Sequence, residues 1–185
     1  AEVIFSATSF QNHVGSLFSL TEGTLSVNLI GENEITVYSD AAGIAQNAHA
    51  FESQDGDLIF QGDGSLAVTM LPGTEQTGNI DMTGIIAAGN VENQAVLTIS
   101  GSGGLTWSGD MTGVSCDSFT NSGTLDIEFS DLSNGVGVIV DGGTFDNSGV
   151  MDIQFAEMDG VGIHLMQNTS SFRNSGSITV DISAS

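Results

Sequence analysis

The chain has 185 residues, of which 39% are apolar, enough for one domain with a sizeable core and too few to require two. Its 23 Asp and Glu face a single basic residue, Arg173, and it has no lysine. This excludes nucleic-acid binding, which needs Lys and Arg to replace phosphate counterions, and disfavours anionic lipid and acidic polysaccharide.

Acidity on this scale serves solubility, and it also supplies oxygen ligands for a divalent cation. The chain opens on Ala1 followed by EVIFSA. That reads as a processed mature start, predicting export with a cleaved signal peptide; a boundary cut from a longer chain would read the same. No apolar run approaches the roughly 18 residues of a membrane span, so no membrane insertion is expected.

In chain order, the first readable unit is VGSLFSLTEGTLSVNL (14–29), with Gly23, Leu25 and Val27 in a loose version of the pattern. Residues 1–42 are therefore expected to be irregular coils or a cap. GIAQNAHAFESQDGDLIF (43–60) fits the repeat with Phe51, Gly56, Leu58 and Phe60. The stretch from Gln61 to Asn79 holds the only proline, Pro72, and predicts a loop insertion near 68–79, TMLPGTEQTG (69–78) leaving the body. GIIAAGNVENQAVLTI (84–99) then aligns with Val91 at an inward aromatic position, Asn93 at the following corner, and Leu97 and Ile99 inward.

From Phe119 the pattern becomes explicit. FTNSGTLDIEF (119–129), FDNSGVMDIQF (145–155) and FRNSGSITVDI (172–182) are spaced by 26 and 27 residues, which calls for a repeat architecture. After each glycine, apolar and polar residues alternate: Leu125, Ile127 and Phe129 against Asp126 and Glu128, then Met151, Ile153 and Phe155 against Asp152 and Gln154. That is a strand with one face inward. A second strand follows, NGVGVIV (134–140) and DGVGIHL (159–165), placing Val136, Val138 and Val140, then Val161, Ile163 and Leu165, on one side.

Short strands at fixed spacing, without room for crossover helices, predict an all-β fold. The architecture is a single-stranded parallel β-helix (a β-solenoid) of about six coils, forming one domain over residues 1–185 with regular repeats over 43–185. Stacking then sets Asn121, Asn147 and Asn174 in one hydrogen-bonded ladder. Phe119, Phe145 and Phe172 stack just before the corner. Gly123, Gly149 and Gly176 occupy it, where a positive φ or close backbone approach selects glycine. NSG is a turn device, so no active site is expected there.

Chemistry is otherwise sparse. Cys116, the only cysteine, sits in an apolar, small-residue context and reads as a small buried hydrophobe. His13, His49 and His164 fall in different coils without metal-ligand spacing, and His164 reads as an exposed strand residue. Asp126 and Asp152 lie at equivalent outward positions, which a repeat generates automatically, so they do not make a glycosidase. Like charges there, together with Glu128, are relieved by raised pKa values, by salt screening, or by a bound calcium ion. Asp126, Glu128 and Asp152 are thus the candidate cation ligands, and no other cofactor is expected. Only Trp107 and Tyr38 offer polar-tipped aromatics for a carbohydrate groove, and they lie in different coils.

The run NSGTLDIEFSDLSNGVGVIVDGGTFDNSGVMDIQF resembles the passenger repeats of bacterial autotransporters and filamentous-haemagglutinin-like adhesins, well over 113–185, fairly over 43–100 and poorly over 1–42. The resemblance implies a right-handed coil displayed at the cell surface, with a host or neighbouring cell surface as partner. It also implies a non-enzymatic structural or adhesive role; a lyase of this fold class would need a basic residue, and only Arg173 offers one. The chain breaks off at ITVDISAS without a polar capping unit. End-to-end self-association into a fibre is the expectation, with AEVIF (1–5) completing a neighbour's last coil. The alternatives are a fragment of a larger autotransporter-type adhesin and a carbohydrate-binding or carbohydrate-active β-helix.

Overall fold

A computed structural model describes residues 1–12, 15–39, 47–72, 81–103, 109–166 and 171–183. Among them there is no helix, and every paired strand is parallel to its neighbours. The chain winds as a β-solenoid of about six turns with three faces.

The first face stacks β1 (Glu2–Ser6), β4 (Gly23–Ile30), β7 (Gly56–Gln61), the second half of β9 (Met82–Asn93), the second half of β11 (Asp110–Asn121), β14 (Thr144–Asn147) and β17 (Ser171–Asn174). The second stacks β2 (Ser9–Asn12), β5 (Glu32–Tyr38), β8 (Ser65–Leu71), β10 (Val96–Ser102), β12 (Thr124–Ser130), β15 (Val150–Ala156) and β18 (Ser177–Ser183). The third stacks β3 (Gly15–Leu20), β6 (Ala48–Ser53), the first halves of β9 and β11, β13 (Asn134–Val140) and β16 (Asp159–Leu165).

Period-two alternation drives the second face. Leu66, Leu97, Leu125 and Met151 stack inward, as do Val68, Ile99, Ile127 and Ile153, while the residues between them face out. One continuous apolar core runs along the axis from Phe5 to Met158. Burial of this column of branched and aromatic side chains is the main stabilising term.

The third face breaks the alternation. Its strands carry two consecutive inward residues, Gly113 and Val114 in β11 and Gly137 and Val138 in β13. Val136 and Val161 consequently turn outward, a correction to the grouping of each with its two apolar neighbours. The cause is a column of glycines: a Cβ on Gly113 would stand 2.7 Å from the Gly137 carbonyl and 2.7 Å from Ile127 Cδ1. The backbone fills the space a side chain would take.

Three further expectations change. The unit at 43–60 is one strand out of phase, because Phe51 pairs with Phe18 and Ile85, and Leu58 and Phe60 pair with Val91 and Asn93. The longer corner Gly62–Gly64 shifts the count, and β8 follows it. Thr69, Met70 and Leu71 therefore belong to a strand, not to a departing loop, and residues 73–78 of that expected loop lie outside the described residues. The N-terminal stretch, expected to be irregular, carries five strands in parallel register, with Leu25 on Leu58 and Val27 on Phe60.

Candidate functional site

The NSG corners build the most ordered polar feature of the molecule. Asn93, Asn121 and Asn147 are fully buried and Asn174 closes the same column. Each side-chain amide donates to the next: Asn93 Nδ2 to Asn121 Oδ1 at 2.8 Å, Asn121 to Asn147 at 2.7 Å, Asn147 to Asn174 at 2.8 Å. The second amide hydrogen caps a backbone carbonyl of the next turn, Thr124, Val150 and Ser177 in order. The ladder is therefore directional. Among the described residues Asn174 accepts from Asn147, and its own amide hydrogens find no acceptor.

Glycine at the corner answers to crowding. Gly123, Gly149 and Gly176 do not have positive φ; a Cβ on Gly149 would lie 2.0 Å from the Gly123 carbonyl, and one on Gly176 2.1 Å from that of Gly149. Close approach is the reason, of the two that the repeat left open. The aromatic stack before the corner spans 5.7 Å between the rings of Phe119 and Phe145 and 4.8 Å, with the rings nearly parallel, between Phe145 and Phe172.

The two ends of the coil are built differently. At the N-terminal end Phe5, Phe10 and Phe18, one from each face, meet with ring centroids 5.2 to 5.5 Å apart and cover the core. At the other end no described residue covers it. Phe172 is 50% exposed, Val180 43% and Ile182 49%, whereas the residues directly beneath, Phe145, Ile153 and Phe155, are at most 1% exposed. Val161 and Leu165 of β16 are exposed beside them. The free edges of β16, β17 and β18 thus flank an apolar surface, the arrangement that recruits a further strand.

The acidic pair on the second face is a separate feature. Asp126 and Asp152 are register partners, with Glu128 beside Gln154. Asp152 Oδ1 is buried without a hydrogen-bond partner. Partial burial, and secondarily the charge of Asp152, hold the Asp126 carboxyl above the usual carboxylate range. Among the described residues no three His, Cys, Asp or Glu side chains come together as a group that could hold a metal ion.

A raised folded-state pKa means the ionised form is penalised in the native state, a cost absent below the unfolded value and growing as pH rises through the folded one. Asp126→Asn should therefore stabilise the protein at pH 7 by a few tenths of a kcal/mol, since the pair still meets solvent. The gain should vanish as the pH falls towards 3.8, the ordinary Asp value. Melting curves of both proteins across that range check it.

Other reactive groups are isolated. Burial pushes the Cys116 thiol up to about 12, and its sulfur faces the Ile139 carbonyl; it is 3% exposed and packs as a core residue. His49 is half-buried, its Nδ1 3.1 Å from the Thr83 carbonyl, and burial lowers its pKa. His164 is exposed on β16, several turns from His49, while His13 and Trp107 lie outside the described residues. A shallow groove of about 340 Å³ on the second face is bounded by Thr69, Ser100, Glu128 and Gln154. A second, of about 580 Å³, runs along the corner past Glu52, Cys116, Asp117 and Asp141. Among the described residues, neither brings a histidine or a basic side chain to its carboxylates.

Sequence reasoning missed Asn33. It is 1% exposed and ties three carbonyls, of Ile30, Gly31 and Ser65, while accepting from the Thr8 amide at 3.1 Å. Its signal was a polar residue at an inward position of ENEITVY. Comparison with protein-family models, curated proteins and solved structures finds no match for this chain.

Proposed function

We propose that the chain is a non-enzymatic structural rod of an exported surface or extracellular fibre, lengthened by end-to-end stacking at its C-terminal end. The observation that carries this reading is the last described turn, where exposed Phe172, Val180 and Ile182, and an Asn174 amide that finds no acceptor among the described residues, continue columns that are buried and paired in the turns beneath. A contact between two different ends of one molecule does not close on itself, so it propagates as a filament. Rigidity comes from the register-locked stack, and adhesion to a host or neighbouring cell is a property such a rod displays along its length.

Negative-stain imaging and light scattering of the purified chain test it. Concentration-dependent filaments about one coil wide are expected. Monomers that persist at high concentration, with no elongation, overturn the reading.

A further inference from the structure

We propose that the groove along the corner between the third and first faces binds a linear polyamine, an aliphatic chain carrying two or more ammonium groups. This goes beyond the structural reading above and does not depend on it.

The groove has a volume of about 580 Å³, within the roughly 300–1,000 Å³ of small-molecule sites. It runs from the end of β6 across β9 and β11 to the residue that follows β13. A local irregularity of the sequence opens it. Ser53, Ala87 and Cys116 are register partners, so Gln54, Ala88 and Asp117 follow them into the corner. There β9 carries one residue more than β11, because Asp117 alone stands opposite Ala88 and Gly89. Both are small. A Cβ on Gly89 would stand 2.6 Å from Asp57 Oδ1, so no side chain fits. The turn of β9 therefore lies low between the longer side chains of the turns on either side.

Three carboxylates border this depression, Glu52 on one side and Asp117 and Asp141 on the other. Glu52 and Asp117 are two layers apart, about 10 Å along the axis at the usual interstrand spacing. That separation suits charges joined by a methylene chain. Both carboxylates are already held: Glu52 accepts from the Ser16 hydroxyl, and Asp117 accepts from the Ser118 hydroxyl at 3.4 Å. Between them Ile86 and Ala88 offer an apolar floor for the methylenes. None of the lining residues is basic, so the positive charge has to come from a ligand.

The independent observation is Ser53, which lines the same groove. It is 3% exposed, and its Oγ is buried without a hydrogen-bond partner. Buried hydroxyls are otherwise paired, and an unpaired one is destabilising until a donor or acceptor meets it. An ammonium brings three donors and no acceptor, so it can answer a carboxylate and a hydroxyl together.

Titration of the purified chain with spermidine, followed by calorimetry and by melting temperature, tests this in about 0.15 M salt, which screens diffuse attraction to the acidic surface. One saturable site is expected. Asp117→Asn should weaken it about tenfold and Ser53→Ala about threefold. Asp63→Asn makes the same charge change at an exposed corner between the first and second faces and should leave affinity unchanged. Equal losses from Asp63→Asn and Asp117→Asn would reveal diffuse attraction and overturn the site, as would neither heat nor a rise in melting temperature. Butylamine, with a single ammonium, should bind about tenfold more weakly than spermidine; equal affinity overturns the bridging geometry. Magnesium chloride that displaces spermidine at equal concentration would assign the groove to a metal ion instead. Ala88→Lys sets an ammonium of the chain's own in the depression, so it should abolish spermidine binding and raise the melting temperature. Undiminished binding to that variant places the ligand elsewhere and overturns the inference. None of these outcomes bears on end-to-end stacking, which imaging decides.

Discussion

Asn121→Ala is expected to destabilise the protein by about 3 kcal/mol, whereas Asn174→Ala should cost the isolated monomer less than about 1 kcal/mol. Asn121 is fully buried, donates to Asn147 Oδ1 and the Val150 carbonyl, and accepts from Asn93. Its removal leaves the Asn147 oxygen and the Val150 carbonyl short of a donor and strands one hydrogen of Asn93, whose contact with the Thr124 carbonyl survives. Each stranded buried group costs about 1–3 kcal/mol, and the lost volume adds to it. Asn174 is exposed and only accepts from Asn147, so water replaces it. At roughly 2–4 °C per kcal/mol for a chain of this size, Asn121→Ala should melt about 6–12 °C lower than the parent. Equal losses at both positions would mean that the column acts locally, corner by corner, and not as a continuous ladder.

The column also explains why asparagine stops at Asn93. Phe60 and Val27 occupy the same positions in earlier turns. Their corners are longer: Gly62–Gly64 adds residues between the strands, whereas Ser122 and Gly123 alone separate Asn121 from Thr124. A two-residue corner turns a carbonyl of the next turn towards the core, and only an amide at the preceding inward position can answer it. Where the corner is longer, the requirement lapses and an apolar residue fits. Asn33 meets the same need from the far side of the longer corner, by holding the Ile30 and Gly31 carbonyls.

This is also why the sequence was readable from Phe119 onwards and less so before it. Two-residue corners keep the NSG spacing constant, so equivalent residues announce themselves. With corners of variable length, period-two alternation still marks strands but no longer tells which face each belongs to, and the unit at Phe51 slipped by one strand. The third face hid for a different reason. Its glycine column sets two inward residues side by side, at Gly137 and Val138, which no alternation template anticipates. The asparagine ladder was legible because a side-chain amide repeated at constant spacing has one economical explanation.

Gly149→Ala should be strongly damaging, at about 3 kcal/mol. The clash is with backbone, the Gly123 carbonyl at 2.0 Å, with Ser122 C at 2.8 Å, so no side-chain rotation relieves it. The turn must instead lift away from its neighbour, which weakens the hydrogen bond from the Val150 amide to the Gly123 carbonyl, 2.9 Å long, and loosens the ladder contact between Asn121 and Asn147 beside it. Gly23→Ala separates this effect from conformational strain. Gly23 has φ +90° and open space around its Cβ position, so alanine there meets only the left-handed penalty, about 1–2 kcal/mol. Gly176→Ala tests the geometry from the other side: its contact with the Gly149 carbonyl is nearly as close, 2.1 Å, but the last turn has no described layer above it and can move outward. Guanidinium unfolding of the three variants should therefore rank Gly149→Ala well below Gly176→Ala in stability, and a reversed order would show that corner crowding is not what excludes a side chain from this column.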